Sequence, residues 1–425
     1  MKHAAALALL GPCVILCGLI ISADALAAGP PAPALEAAWT AWEKGNVAEA
    51  ETLASAAADG DARRHLLFLC AFVTGHHNEA LEHYRLIRAS YPRFTELGQP
   101  VVDAYLHLGR YAEAERFAHA AGMDEPLCGE LAQRAAHPLG VTLDRVAEIP
   151  FADHHLAGFF PAVEAQIEAS PVLVHVDTGG TFLHMNLDRA RELGIDLTPG
   201  REGRHGMRPV QTHRGIAATF RLGDVLLENV PVVALPSLTG GQDFIMLGTN
   251  ILQQFLATLD YPAGRLILSP RRDAALREEH LAMLPRHRVQ IPFHMWGDHY
   301  MFARGGLGER RDLNFFIDSG LISLRPDGRG GLRQAALWCT RAHLMEWGLD
   351  PAALRRWPFE CPLPVSLGPL EQTDLLVLPR RSDPVESLGG VRIDGLLSHG
   401  FLRSYSWTID FDEHQYTFAS PTPAP

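Results

Sequence analysis

The chain contains 425 residues, of which 47% are hydrophobic and 20% charged, and its formal net charge is −12. This composition is typical of a globular protein, and the length is sufficient for two or three domains. The negative charge, with no run of Lys or Arg to offset it, argues against nucleic acid or an anionic membrane surface as the main partner.

The N-terminus has the pattern of an export signal. A basic start precedes an apolar stretch over residues 4–21, and the small residues Ala25 and Ala27 follow it. This arrangement predicts cleavage after Ala27, so that residues 1–27 are a signal peptide and the mature protein is periplasmic or secreted. Because the apolar stretch is longer than most signals, an uncleaved anchor is the alternative; otherwise we expect no integral membrane domain.

The cysteines fit an oxidising compartment without indicating a metal. Four follow the signal, at Cys70, Cys128, Cys339 and Cys361. Disulfides are permitted in such a compartment, and Cys339–Cys361 is the pair that the sequence favours, since both lie in one late segment, whereas buried free thiols describe Cys70 and Cys128 equally well. The sequence has no Cys-x-x-Cys or Cys/His spacing typical of zinc, so we expect neither a metal nor a cofactor.

Residues 34–140 are rich in Ala, Leu and Glu and have helix-period apolar spacing. A short phrase recurs there, as GNVAEA at 45–50, GHHNEA at 75–80 and GRYAEA at 109–114. Each Gly stands between two apolar helical stretches, which predicts a helix–turn–helix unit repeated about three times. The pattern resembles tetratricopeptide repeats. Such a segment either recruits a protein partner or is a structural domain packed on the C-terminal part of the chain.

After about residue 145 the sequence changes to short β-rich runs broken by Gly and Pro, and its landmarks occur twice in the same order. EIPF at 148–151 returns as QIPF at 290–293, and the closing segment 245–268 returns at 395–418. The apolar-flanked acid of VLVHVDTGG returns in FFIDSGL.

These matches predict a tandem duplication of one β-rich lobe. The first copy, repeat 1, spans residues 145–270, and the second, repeat 2, spans 290–422. The charged segment 271–289 is the linker between them.

Duplication gives the acid Asp318 an equivalent, Asp177, at the same place in its own repeat. Both have apolar neighbours, among which an ionised carboxylate is costly unless it is partnered. Two lobes related by pseudo-symmetry bring equivalent loops together, so we predict that the two carboxyls share a proton. One then acts as general base on a water while the other, protonated, polarises a carbonyl, which is machinery for peptide hydrolysis.

The residues after each acid fit this pairing. Thr178 and Ser319 carry hydroxyls that can bond across to the opposite loop. Gly179 and Gly320 permit a tight loop and leave backbone N–H groups for the carboxylates.

With these motifs, residues 145–422 resemble the pepsin/retropepsin superfamily of aspartic proteases, in particular the bacterial retropepsin-like form fused into two lobes. HVDTGG, FIDSG and the later FIMLGTN carry the resemblance. It implies an α plus all-β multidomain protein, in which a tetratricopeptide-like helical repeat precedes a bilobal β-barrel aspartic-protease-like fold. It also implies an aspartic endopeptidase with catalytic Asp177 and Asp318, acting on a polypeptide in an extended conformation.

Some positions depart from the family pattern. Gly180 and Leu321 stand where the family usually has Ala or Ser, and Ser398 aligns with Gly248 of repeat 1. A bulky Leu321 beside the reacting centre and the added Cβ of Ser398 are the features that argue against activity.

Repeat 1 also has room for a mobile hairpin, or flap, at roughly 200–215, whereas the matching interval of repeat 2 is shorter. Closure of a flap excludes water and clamps an extended peptide as an added strand.

Two alternatives remain open. A noncatalytic protein of the same fold would hold a peptide in the cleft without cutting it, while the helical repeats recruit a partner. A weaker alternative is a metal site built from His154, His155, His294 and His299, although polar turn residues explain these positions without a ligand.

Overall fold

The protein was studied as a computed structural model, which describes residues 15–16, 33–205, 208–238, 241, 243–349, 358–382 and 385–421. Apart from residues 15–16, the predicted signal peptide lies outside these residues. Among the helices that are described, none has the length and apolar character needed to cross a membrane.

The N-terminal part is helical. Its helices are α1 (Pro33–Glu43), α2 (Val47–Ala56), α3 (Asp61–Val73), α4 (His77–Arg85), α5 (Gly98–His107), α6 (Tyr111–Ala120) and α7 (Glu125–Ala136). Each helix packs against the next one in the chain. The glycines of the recurring phrase, Gly45, Gly75 and Gly109, join consecutive helices with φ of +74°, +82° and +68°. Since residues with a Cβ rarely adopt this conformation, these glycines account for the predicted helix–turn–helix pattern.

The rest of the chain is rich in β-strands. Up to the linker, the strands are β1 (Ile15–Leu16), β2 (Gly140–Thr142), β3 (Ala147–Pro150), β4 (Ala162–Ile167), β5 (Ser170–Asp177), β6 (Leu183–Asn186), β7 (Leu197–His205), β8 (Arg208–Leu222), β9 (Val225–Leu235), β10 (Ile245–Gly248), β11 (Phe255–Asp260) and β12 (Arg265–Pro270). They are accompanied by α8 (Leu187–Glu192) and α9 (Thr249–Leu252), and the linker contains α10 (Ala274–Ala282). Strand β2 pairs with β9, so pairing with this half begins ahead of the predicted start at residue 145.

After the linker the strands are β13 (His287–Trp296), β14 (Tyr300–Leu307), β15 (Arg310–Asp318), β16 (Leu324–Pro326), β17 (Leu332–Thr340), β18 (Phe359–Glu360), β19 (Val365–Leu367), β20 (Leu370–Gln372), β21 (Leu376–Arg380), β22 (Ser387–Leu388), β23 (Val391–Arg392), β24 (Gly395–Ser398), β25 (Ser406–Asp410) and β26 (Gln415–Ser420). The helices of this half are α11 (Arg341–Glu346) and α12 (His399–Leu402).

The two halves repeat one strand arrangement. In repeat 1, β5 pairs in parallel with β10, which sets Asp177 opposite Gly248. In repeat 2, β15 pairs in parallel with β24, which sets Asp318 opposite Ser398. Each of these later strands has an antiparallel neighbour on its other side, β6 for β10 and β17 for β24. The duplication read from the sequence therefore extends to the strand topology.

A shared sheet joins the halves, with strand order β3–β12–β11–β25–β26–β13. The strand-end acids of this sheet have structural partners. Asp260 accepts hydrogen bonds from Ser406 Oγ at 2.7 Å and Arg265 Nε at 3.0 Å. Asp410 accepts one from Arg277 Nη2 at 2.6 Å. These bonds tie the halves and the linker together beneath the strands that carry Asp177 and Asp318.

The helical segment is docked on repeat 2. One hydrophobic cluster contains Trp42 and Phe68 from the helices together with Phe316 and Trp338 from repeat 2. Trp42 Nε1 donates a hydrogen bond to Gly389 O at 2.9 Å. A Cβ on Gly45 or Gly75 would lie 2.4 Å from Asn314 or His414, respectively. Two of the recurring turn glycines therefore also allow this close approach.

The predicted Cys339–Cys361 disulfide is wrong. The four cysteines that the structure describes form no disulfide. Cys339 is on β17, opposite Pro379 of β21, whereas Cys361 N donates to Leu375 O at the other edge of β21. One strand therefore separates the two residues, a lateral distance of about 10 Å, beyond the Cα separation of up to about 7 Å that a disulfide spans.

Candidate active site

Asp177 and Asp318 end equivalent strands and meet between the two halves. They are 2% and 1% exposed. A Cβ built on Gly179 would lie 2.4 Å from Asp318 Cγ, and one built on Gly320 would lie 2.2 Å from Asp177 Oδ1. Each carboxyl thus packs directly against the glycine of the opposite loop, and the two carboxyls are within hydrogen-bonding reach of one another.

The residues after the two acids bond reciprocally. Thr178 N–H donates to Ser319 Oγ at 3.0 Å, and Ser319 N–H donates to Thr178 Oγ1 at 3.0 Å. Each hydroxyl also donates to a carbonyl of the opposite strand, Thr178 to Ile317 O at 3.2 Å and Ser319 to Val176 O at 3.1 Å. All four bonds are buried, and at about 1 kcal/mol each they lock the loops together with roughly 4 kcal/mol.

Backbone N–H groups orient the carboxyls. Gly179 N–H donates to Asp177 Oδ1 at 2.9 Å, and Gly320 N–H donates to Asp318 Oδ1 at 2.8 Å. The same glycines leave room for the opposite carboxyl, where any side chain would overlap it. The predicted functions of Gly179 and Gly320 as tight-loop residues and as donors thus have a geometric basis in both loops.

The environment favours one proton on the pair. Burial raises the pKa of Asp177, although the Gly179 N–H, the hydrogen bond from Asp318 and the nearby His299 act in the opposite direction. Burial and then the charge of Asp177 raise the pKa of Asp318 well above its ordinary value. Two carboxyls in contact cannot both ionise cheaply in a buried site, so they titrate as one coupled pair.

The Leu321 side chain lies in an apolar environment. It is fully buried and belongs to the cluster that joins the helical segment to repeat 2, with Phe316 and Trp338. Its backbone carbonyl accepts a hydrogen bond from Gln334 Nε2 at 2.9 Å. Leu321 therefore packs into the hydrophobic cluster that joins the helical segment to repeat 2, which we call the docking core. This departure from the family pattern thus has a structural explanation.

The exchange of Gly248 for Ser398 is also explained. A Cβ on Gly248 would lie 1.3 Å from Thr181 O, so this position tolerates no side chain. Ser398 has the space, and its hydroxyl donates to Ala335 O and accepts from Gly400 N–H at 3.0 Å. The hydroxyl thereby caps α12 and leaves the pairing of β15 with β24 intact.

The predicted flap region is a β-hairpin. Strands β7 and β8 pair from Leu197 opposite Gly215 to the register position of residue 205 opposite 208. Val210, near the tip, packs on an apolar cluster of repeat 1 that includes Phe244. Ile322 and Leu324, which follow Asp318 in the chain, pack on the same cluster. The hairpin therefore contacts an apolar cluster to which residues of both repeats contribute.

Residues 297–299 form a turn close to the site. The sequence predicted polar turn residues here but not their contacts with repeat 1 and the helices. Asn250 Nδ2 donates to Asp298 O at 3.0 Å and Oδ2 at 3.1 Å, and Asp298 Oδ1 accepts from His299 Nδ1 at 2.6 Å. The residue before Asn250, Thr249, donates through its hydroxyl to Thr178 O at 2.8 Å. From the helical segment, His107 Nε2 donates to Gly297 O at 2.8 Å.

This turn of repeat 2 therefore contacts both the helices and repeat 1. Its partner Asn250 follows Thr249, whose hydroxyl bonds Thr178 of the Asp177 loop. The phrase HMWGDH indicates a polar turn and, more weakly, a metal site, and neither prediction includes these contacts. Asp103 of α5 lies close by, because a Cβ on Gly297 would be 3.9 Å from Asp103 Oδ2. Burial, and then the charge of Asp298, raise the pKa of Asp103 to about 8.

Three of the four histidines proposed as metal ligands, His154, His294 and His299, have other partners. His154 Nε2 donates to Phe160 O at 3.0 Å, His294 packs against the Phe302 ring, and His299 bonds Asp298. Nowhere in the described part of the chain do three or more His, Cys, Asp or Glu side chains group so as to hold a metal ion. The metal alternative thus has no geometric support among these residues.

A family model matches one part of the chain. Residues 163–251, which include Asp177, match the model of the aspartyl protease family. The chain therefore carries an aspartyl-protease-like segment around its first acid. No curated protein matches the chain significantly.

Solved structures similar to this chain include two aspartic proteases. One is a retropepsin-like aspartic protease from Rickettsia conorii, with 20% identity and a TM-score of 0.23 over 31% of this chain and 93% of that one. The other is the aspartic proteinase from Irpex lacteus, with 12% identity and a TM-score of 0.39 over 65% of this chain and 97% of that one.

Proposed function

We propose that the protein is an aspartic endopeptidase in which Asp177 and Asp318 form the catalytic dyad. The ionised carboxyl removes a proton from a water held between the two acids, and the water oxygen attacks the peptide carbonyl carbon. The protonated carboxyl donates its proton to the carbonyl oxygen as the tetrahedral intermediate forms. Collapse of the intermediate breaks the C–N bond, and the amine leaves with a proton from the dyad.

The observation that carries this proposal is the reciprocal bonding of the two loops. Thr178 and Ser319 each accept from the other's N–H at 3.0 Å, so the loops hold the carboxyls in one fixed relation. Burial raises the pKa of both acids, which favours a single shared proton at mildly acidic pH. General acid and general base are then present together without a metal or another cofactor.

Other parts of the chain have functions consistent with this proposal. The β-rich part is a two-lobed body, with one acid from each lobe and an extended polypeptide bound between them. The hairpin at 200–215 is the flap that covers the peptide. Residues 34–140 are a tetratricopeptide-like domain, and the protein is exported after cleavage of residues 1–27.

A second function is peptide binding without cleavage, and one observation favours it. Asp177 and Asp318 are only 2% and 1% exposed, so a substrate reaches them only after the protein opens around them. If the flap opens too little, a bound peptide does not reach the two carboxyls, and the protein binds peptides without cleaving them.

A peptide-library experiment tests the proposal and separates the two functions. The mature chain is incubated with a mixed peptide library between pH 3 and 8, beside Asp177→Asn and Asp318→Asn variants. We expect cleavage by the wild type alone, fastest at mildly acidic pH. Equal cleavage patterns in all three proteins would contradict a catalytic function of Asp177 and Asp318. Binding without cleavage by the wild type at every pH would establish the second function.

A further inference from the structure

The base of the flap hairpin is bonded to the helical segment. Arg201, on β7, lies with Nε 2.9 Å from Oδ2 of Asp124, the residue that caps the N-terminus of α7. Its Nη1 donates to Gln99 Oε1 on α5 at 3.2 Å. One arginine of the hairpin thus contacts two separate helices.

A second ion pair lies on the neighbouring strand. Arg214 of β8 has Nε 3.5 Å from Glu130 Oε2 of α7, and these side chains are only 15% and 20% exposed. Both strands of the hairpin therefore present a cation to the helices, and α7 presents an anion to each of them. This complementarity joins elements that are far apart in the sequence.

The same helix also contacts the segment that follows the dyad loop. The Arg134 guanidinium of α7 lies 4.9 Å from the centre of the Phe182 ring, and Phe182 O accepts from Gly248 N–H at 2.7 Å. Helix α7 therefore contacts both the flap base and the segment that follows the Asp177 loop.

Helix α5 completes the connection. Gln99, which accepts from Arg201, donates through Nε2 to Asp103 Oδ1 at 2.9 Å. Asp103 lies against the turn at Gly297 beneath the dyad. The helices are anchored on repeat 2 through the Trp42 cluster. They therefore connect the flap base to the 297–299 turn as a fixed support.

We propose that the helical segment positions the flap, with Arg201 and Arg214 as the positioning residues and α5 and α7 as their support. The hairpin base then stays fixed while the tip around Val210 opens for substrate. This inference rests on the proposed function only in assigning the hairpin the task of covering a peptide. It gives residues 34–140 an intramolecular function, for which no external partner is required.

Hydrogen–deuterium exchange on the full-length mature chain, without substrate, tests the support directly. Arg201→Met keeps the aliphatic stem and removes both polar contacts. The matched control is Arg221→Met, which changes an exposed arginine at the other end of β8. We expect Arg201→Met to speed amide exchange in peptides covering 197–222 about tenfold, whereas the control exchanges like the wild type.

A charge swap distinguishes positioning from a general loss of stability. Glu130→Arg and Arg214→Glu should each speed flap exchange, and the double variant should return it to within about twofold of the wild type. With a peptide substrate, Arg201→Met should raise KM more than it lowers kcat, because the loss concerns flap closure rather than the dyad.

The inference fails if Arg201→Met exchanges like the control, or if the double variant is no closer to the wild type than the single variants are. These outcomes are independent of peptidase activity. If Arg201→Met speeds flap exchange but the wild type cleaves no peptide, the proposed peptidase function is contradicted and the support of the flap by the helices is retained. If the wild type cleaves peptides but Arg201→Met leaves flap exchange unchanged, the support is contradicted and the peptidase function is retained.

Discussion

Thr178 and Ser319 exchange hydrogen bonds across the boundary between the two repeats, each accepting at its side-chain oxygen from the backbone N–H of the other at 3.0 Å. Both side chains are fully buried. Loss of either hydroxyl removes the side-chain acceptor of a buried N–H on the opposite loop, which costs more than the bond alone contributes.

We therefore expect Thr178→Val, which keeps the shape and removes the hydroxyl, to lower the free energy of unfolding by about 2–4 kcal/mol. Peptide cleavage should fall by one to two orders of magnitude as the carboxyls lose their fixed relation. Thr178→Ser, which retains the hydroxyl, is the control. Chemical denaturation and kcat measured on both variants check this, and equal behaviour of Val and Ser at this position would contradict it.

The two glycines that follow Asp177-Thr178 differ in the space around them. A Cβ on Gly179 would lie 2.4 Å from Asp318 Cγ, whereas one on Gly180 would lie 3.6 Å from its nearest neighbour, His184 Nδ1. Gly179→Ala should thus abolish cleavage and destabilise the fold, while Gly180→Ala should leave cleavage within about threefold of the wild type. Thermal unfolding and peptide turnover compare the two directly, and a tolerated Gly179→Ala would contradict the close packing of Asp318 on this glycine.

Leu321 belongs to the docking core, so its contribution is to stability. Leu321→Ala should lower the free energy of unfolding by about 2–4 kcal/mol and leave kcat of the folded enzyme nearly unchanged. The exposed Leu86 supplies the control, since Leu86→Ala should change stability by less than about 0.5 kcal/mol. An increase in kcat for Leu321→Ala would show instead that this side chain obstructs the dyad.

Asp103 makes the interface between the helices and the 297–299 turn sensitive to pH. Burial and the charge of Asp298 raise its pKa from 3.8 to about 8, while Gln99, Arg134 and Arg201 act weakly in the other direction. Because the folded state holds this proton more tightly than the unfolded chain, the stabilisation is complete below about pH 4 and is lost as pH rises towards 8.

Asp103→Asn removes the loss of stability at high pH, because the amide does not ionise. We expect the variant to be more stable than the wild type by about 1–4 kcal/mol at pH 8 and to match it near pH 4. Urea denaturation at several pH values measures the difference. A variant that is less stable than the wild type at pH 8 would mean that the Asp103 carboxylate is paired and ionised in the folded protein.

Much of the site could be predicted from the sequence because the duplication is local and ordered. The landmarks around Asp177 and Asp318 recur with the same order in both halves, and this is sufficient to predict that their loops meet and that Thr178 and Ser319 bond across. The helix–turn–helix units were predictable for a similar reason, since a recurring glycine marks a backbone conformation that other residues avoid.

The remaining features depend on contacts between segments without a shared pattern. Leu321 could be assigned to the docking core only once the helices were placed on repeat 2. The Arg201–Asp124 pair joins two ordinary surface-type residues, and no periodicity distinguishes them. The Cys339–Cys361 pairing failed because closeness in sequence does not reveal that β21 lies between the two strands.

In the proposed dyad, Asp177 and Asp318 form one buried pair that shares a proton. The pKa of both acids is raised, so the pair stabilises the fold at low pH, and this contribution disappears as pH rises above the ordinary Asp range. The most direct test is the free energy of unfolding of wild type and Asp318→Asn between pH 3 and 8. We predict that the variant matches the wild type near pH 3 and becomes progressively more stable than it towards neutral pH. A stability difference that stays constant across this range would contradict the shared proton and, with it, the proposed dyad.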